Sequence, residues 1–189
     1  MSSIVVAGDV SGSVTLSAPS AAGSTVLTLP ATSGTVLTSA TPFSNGQGPA
    51  FSAYRNGNQT GISSGADTKV QINAENFDTN NNFDSSTNYR FTPTVAGYYQ
   101  VNANIACIGT NLTYSIARLF KNNLLFANGN FSDDVGGEKN SVLSTLVYLN
   151  GSTDYIELYS LSIVGSGTIT LLGASPERTT FSAAMVRNA

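Results

Sequence analysis

Polar and apolar positions alternate strictly along residues 97–107. Tyr99, Val101, Ala103, Ile105 and Cys107 share one parity, and Tyr98, Gln100, Asn102 and Asn104 share the other. A period of two over this length predicts a strand with one face in a core and one polar face. Similar short runs recur from residue 50 onward and predict strands at 50–54, 68–73, 88–92, 97–107, 113–121, 124–127, 141–149, 153–162, 167–172 and 180–187. Asn56-Gly57, Asn128-Gly129, Gly136-Gly137 and Asn150-Gly151 supply residues that tolerate positive φ in tight turns. Many short strands between such turns predict an all-β sandwich or jelly roll. Tyr99, Val101, Ile105, Leu146, Tyr148, Ile156 and Leu158 are expected in or near its core.

Residues 1–47 have a different texture. Short apolar pieces carrying Val14, Leu16, Val26, Leu27, Leu29, Val36 and Leu37 are punctuated by Gly and Pro, with Ser and Thr between them. Each piece is too short for a hairpin that is stable alone, and no heptad or Gly-X-Y period links them. Pure linkers avoid this much apolar content. The expectation is an extended arm that needs a partner to bury its Val and Leu side chains. Thr41-Pro42-Phe43-Ser44-Asn45-Gly46-Gln47-Gly48-Pro49 is dense in chain breakers and marks the boundary, leaving residues 48–189 as one domain.

Composition removes several function classes. Charged residues make up only 10% of the chain and the net charge is −3, so there is no electrostatic footprint for nucleic acid. The absence of His takes away the commonest general base and transition-metal ligand together. The one cysteine, Cys107, lies on the apolar parity of its strand and reads as a small core residue; no internal disulfide can form. No run approaches membrane-spanning length, and Ile4-Val5-Val6-Ala7 is too short for a signal sequence, so folding in a cytoplasm is expected.

Apparent chemical motifs are weak. Gly61-Ile-Ser63-Ser-Gly65 fits the hydrolase pattern G-x-S-x-G, which needs a strand before it, a helix after it and a His elsewhere. Asp133-Asp134 lacks the spaced oxygens of a calcium loop. Neither an enzyme nor a cofactor is expected. The loop around Phe77, Asn80, Asn81, Asn82 and Phe83 combines amides with rings, a pairing that can bind glycan; the alternative is that both rings anchor the loop to the core.

Phe91-Thr-Pro93-Thr-Val-Ala-Gly97-Tyr98-Tyr99 resembles the signature of the C1q-like, tumour-necrosis-factor-like jelly rolls. Further words in the same order extend the resemblance over residues 49–188: Pro49-Ala-Phe51-Ser-Ala53, Phe83-Asp84, Leu146-Val-Tyr148-Leu149-Asn-Gly151-Ser-Thr-Asp154-Tyr155-Ile156-Glu-Leu158, and Thr180-Phe181-Ser182-Ala183. It implies a homotrimer, with Phe51, Tyr54, Tyr98 and Phe181 as candidates for its three-fold interface. The arm, with Gly12-Ser-Val14-Thr-Leu16-Ser-Ala-Pro19 and Thr28-Leu29-Pro30-Ala-Thr-Ser-Gly34-Thr35, resembles N-terminal segments of tailed-bacteriophage fibre proteins. Together these imply a non-enzymatic virion protein, on the head surface, neck or tail, whose arm docks on other virion proteins (capsid, tail or neck). One reading is an adhesive fibre presenting its head to host surface glycan. The other is a capsid decoration, or cement, protein. Neither implies nucleic-acid binding or membrane insertion.

Overall fold

A computed structural model of the chain describes residues 3–7, 9–17, 20–21, 23–24, 26, 31, 48–132, 137–173 and 178–189. The chain divides into two units, Met1–Thr41 and Pro42–Ala189.

In the first unit, β1 (Ser3–Ala7) pairs antiparallel with β2 (Ser13–Ser17), in a register that sets Ile4 opposite Leu16 and Val6 opposite Val14. This stretch of the β-rich arm is thus a two-stranded hairpin. The turn between the strands includes Gly12 at φ 80°, a conformation glycine adopts without steric cost. Ile4, Val5 and Val6 are all more than half exposed.

The second unit is all-β among the described residues. Its strands are β3 (Ala50–Tyr54), β4 (Gln59–Ile62), β5 (Thr68–Lys69), β6 (Ala74–Asp78), β7 (Phe83–Asp84), β8 (Arg90–Phe91), β9 (Ala96–Lys121), β10 (Leu124–Ser132), β11 (Lys139–Asn150), β12 (Ile156–Leu171) and β13 (Thr180–Asn188). They follow the order β6-β3-β13-β9-β12-β8-β7, with β10 and β11 also paired to β9, and β4 and β5 to β12. The 26-residue β9 organises the domain. Its first half pairs with β11 and β13, and its second half with β10 and β12. Near the middle, Cys107 stands opposite both Lys139 and Leu171. The two halves thereby carry the two layers of a jelly roll around one core.

That core is fixed by aromatic stacking. Phe51 lies 4.6 Å from Phe83 and 4.6 Å from Phe91, and Phe181 meets it edge-on at 5.1 Å. Tyr99 packs against Phe91, and its hydroxyl donates to the Val95 carbonyl at 2.7 Å. Burial raises the Tyr99 phenol to about 12.

Several sequence expectations change. Strands expected at 97–107 and 113–121 are one strand, as are 153–162 and 167–172. The intervening Gly109-Thr-Asn111 and Gly165-Ser-Gly167 look like breaks, but they pair with each other through register shifts and the ladder continues. Asn128-Gly129 does not turn the chain; it lies inside β10, and the turn is made by Asn122 and Asn123, both at positive φ. Asn150-Gly151 does turn. The Asn150 Oδ1 accepts from the N–H groups of Ser152, Thr153 and Asp154, and a side chain at Gly151 would meet the Ala96 nitrogen at 2.3 Å.

Leu146 and Tyr148 are not in the core. They are 56% and 42% exposed, whereas Leu143, Val147 and Leu149 point inward. Conversely, Phe51 and Phe181 are 1% and 0% exposed inside their own protomer and are unavailable to a three-fold interface. In β11 apolar residues occupy both parities, so only the pairing decides which set faces inward. Phe51 and Phe181 lie on the inward parity of their strands, where large rings fill the core.

Candidate functional site

Two surfaces of the head stand out, a polar cleft and one sheet face. The cleft, about 600 Å³, is lined by residues between Glu75 and Thr94, including Asn81, Asn82, Asp84 and Arg90. Carboxylates build its wall. Asp78 accepts from the N–H groups of Asn80 at 3.2 Å and Phe83 at 2.6 Å. Asp84 accepts from the N–H groups of Ser86, Thr87 and Asn88, from the Ser86 hydroxyl and from the Asn88 amide. The Thr87 N–H, ahead of the opposing desolvation and the other donors, holds the Asp84 carboxyl well below the usual carboxylate range.

The Asn-rich loop is therefore largely occupied in holding itself. The Asn82 amide donates to the Asn80 carbonyl and accepts from the Thr94 N–H and hydroxyl, and Asn80 accepts from the Thr79 hydroxyl. Phe83 is buried against Phe51, and Asn82 is only 9% exposed. Asn81, at φ 53°, is exposed. Phe77 departs from the grouping read from sequence. It is 51% exposed and pairs in register with Ser52, so it lies on the outward face of the first layer and not in the cleft.

That outward face follows from the registers. Tyr98 is opposite Tyr148 and Gln100 opposite Leu146, and Gln100 is also opposite Ala184. Asn102 is opposite Ser144 and Ser182, and Ser182 is opposite Ser52. Tyr54, half-buried, falls on the same face opposite Thr180. The centre of the face is a hydrogen-bonded polar ladder: the Gln100 amide donates to the Ser144 hydroxyl at 3.0 Å, which donates to Asn102 at 2.9 Å. One end is apolar. Tyr98, Leu146, Tyr148 and Val186 are each more than 40% exposed and line a shared depression with Arg187. Sequence reasoning placed Tyr98 here. It missed Leu146 and Tyr148, whose parity relative to the buried Val147 and Leu149 was the signal.

Ser63 is exposed after β4, and its neighbour Ser64 accepts from the Val164 N–H; no helix follows among the described residues. Cys107 is buried at the end of a hydroxyl chain running Ser160, Ser162, Ser115, Cys107, and burial raises its thiol. Asp133 and Asp134 lie outside the described residues, as do Leu27, Leu29, Val36 and Leu37 of the arm. Val14 and Leu16 are in β2, and Val26 is 88% exposed. Among the described residues no group of three or more acidic or cysteine side chains gathers as a metal site.

No protein-family model matches this sequence, and no curated protein sequence matches it. Solved structures do. An Eiger TNF from S. frugiperda has a TM-score of 0.56 at 10% identity, covering 76% of this chain and 96% of that one. Murine APRIL at pH 8.0 has a TM-score of 0.54 at 7% identity, covering 74% and 99%. The globular domain of zebrafish complement 1qA has a TM-score of 0.51 at 17% identity, again covering 74% and 99%. The fold is a TNF/C1q-like jelly roll. At these identities the likeness speaks for the fold alone, which is the part of the motif-based resemblance that the structural neighbours carry.

Proposed function

We propose that the protein is a non-enzymatic, homotrimeric virion protein of a tailed phage: a fibre or adhesin anchored through residues 1–47 and presenting its jelly-roll head to the host surface. The observation that carries the trimer is the apolar end of the outward sheet face. Tyr98, Leu146, Tyr148 and Val186 expose large side chains side by side on a chain with few charges. Three copies meeting there would bury them around a closed axis, which satisfies the patch without open-ended aggregation. Tyr54 and Phe77 share the face on the far side of its polar ladder, where a three-fold contact covering the whole face would also reach them. The virion assignment rests on the arm. Its wording resembles that of phage fibre N-termini, and its hairpin exposes Ile4, Val5 and Val6, a surface suited to docking on a capsid, tail or neck protein.

Immunogold labelling of intact particles with antibody against residues 49–189 tests the assignment. Gold on the tail or on sparse projections supports the adhesin. Gold spread evenly over the capsid replaces it with the decoration protein, and unlabelled particles overturn both.

A further inference from the structure

We infer that the polar cleft beside β7 and β8 is a binding subsite for one uncharged, hydroxyl-rich sugar residue, with Arg90, Glu75 and Asn81 as its hydrogen-bonding groups. The inference deepens the adhesin reading and rests on it for the source of the ligand, a host surface glycan.

Arg90 is the central observation. In the strand register it stands between Asp84 on β7 and Glu157 on β12, the arrangement in which a guanidinium normally finds a carboxylate. Both neighbours are already taken. Asp84 is filled by the N–H donors of its own turn, and Glu157 pairs with Lys69 at 2.5 Å. Arg90 instead lies over the Tyr155 ring, 4.4 Å from its centroid, and donates no hydrogen bond to any described residue. Its N–H donors are thus held at a cleft wall, fixed by the ring and left for something else.

Glu75 and Asn81 line the same cleft, and neither side chain bonds to another described residue. The carboxylate brings acceptors, the amide brings both kinds of group, and Arg90 brings only donors. A sugar hydroxyl both donates and accepts, so adjacent hydroxyls match this mixture. The volume lies within the roughly 300–1,000 Å³ of small-ligand sites. Asp78, Asn82 and Asp84 hold the surrounding loop by hydrogen bonds within the protein, so its shape does not depend on a ligand.

Charge selects among ligands. Glu75 and the firmly ionised Asp84 outnumber Arg90, which disfavours acidic sugars and phosphate. A cation is no better served, because the Asp84 oxygens already accept five hydrogen bonds.

The test uses the full-length protein on an array of immobilised glycans, with neutral glucose, galactose, mannose and N-acetylglucosamine units beside uronic-acid-containing ones. Retention on at least one neutral glycan is expected, falling tenfold or more in Glu75→Gln, Asn81→Gly and Arg90→Lys. Glu75 and Asn81 are exposed, so their variants keep the head folded, and glycine accepts the positive φ at position 81. Preference for acidic glycans, no retention at all, or retention indifferent to these changes would each overturn the subsite. The variants leave particle mass and gold position untouched, so a silent array on a trimeric, tail-borne protein refutes the subsite alone. A monomer, or gold on the capsid, refutes the adhesin reading instead.

Discussion

Tyr98 and Tyr148 face each other directly across β9 and β11, with ring centroids 5.5 Å apart and planes tilted by 56°. Lys121 approaches the second ring at 5.7 Å and donates to the Tyr148 carbonyl at 2.7 Å. The pair is thus fixed from behind while both rings remain exposed. Rings that are ordered and exposed together suit an interface better than a solvated surface, since little conformational entropy is left to lose on contact.

Leu146→Glu should therefore separate assembly from folding. It places a charge beside Tyr98 and Tyr148 without touching the buried Val147 and Leu149. Light scattering of the wild type should give three times the 19.5 kDa chain mass, and the variant should fall to one. A wild-type monomer would sink the trimer. A variant that stays trimeric would move the interface to another face.

The two phenylalanines grouped with the loop should behave oppositely. Phe83 is part of the ring stack with Phe51, so Phe83→Ala should cost about 3–5 kcal/mol in denaturant unfolding. Phe77→Ala, on the surface, should change protomer stability by no more than about 0.5 kcal/mol. Equal losses would mean that Phe77, like Phe83, anchors the loop to the core, one of the two readings the sequence left open.

That contrast marks how far the sequence could be read. Strict alternation at Tyr99–Cys107 identified the central strand and its buried face, and the ordered motifs along residues 49–188 identified the jelly roll. What failed was parity wherever both faces of a strand are apolar, as in Leu143 to Leu149, or where aromatic size was taken as a sign of interface, as for Phe51 and Phe181. The cleft was only half visible. Asn81, Asn82 and Phe83 signalled it, but Glu75 and Arg90 reach it through strand pairing that local sequence does not encode.

Acid should weaken the head in part through Asp154. Lys121 pairs with it at 2.8 Å, and the Asn122 amide and the Asn150 N–H add donors; the Lys121 contact first, against desolvation, lowers its carboxyl pKa. A carboxyl whose pKa is lower folded than unfolded stabilises the fold above the unfolded value of about 3.9. That contribution is lost as pH falls through the lowered folded value. Asp154→Asn should cost about 2 kcal/mol at pH 7, and its gap from the wild type should narrow steadily below about pH 4. A gap independent of pH would show that the residue's worth lies in shape and not in charge.

Cys107 should be inert in the folded protein. It is fully buried, hydrogen-bonded to the Ser115 hydroxyl at 3.1 Å, and its thiol is raised by desolvation, so little thiolate is present near neutral pH. A chromogenic disulfide reagent should react with about one thiol per chain in denaturant and with almost none without it. Rapid native labelling would mean that the seam between β9, β11 and β12 opens.

The arm gives the last test. Isolated two-stranded hairpins are marginal in water, and β1 and β2 leave Ile4, Val5 and Val6 mostly exposed. Such a segment gains most of its order from whatever it docks against, whereas the head carries its own aromatic core. Deleting residues 2–40 should therefore leave the melting temperature of the head unchanged and its mass at three times that of the truncated chain, while abolishing incorporation into particles. Normal incorporation of the truncated chain would assign docking to the head. Loss of the trimer would make the arm part of the assembly interface, and Tyr98, Leu146 and Tyr148 would then be insufficient to hold three heads together.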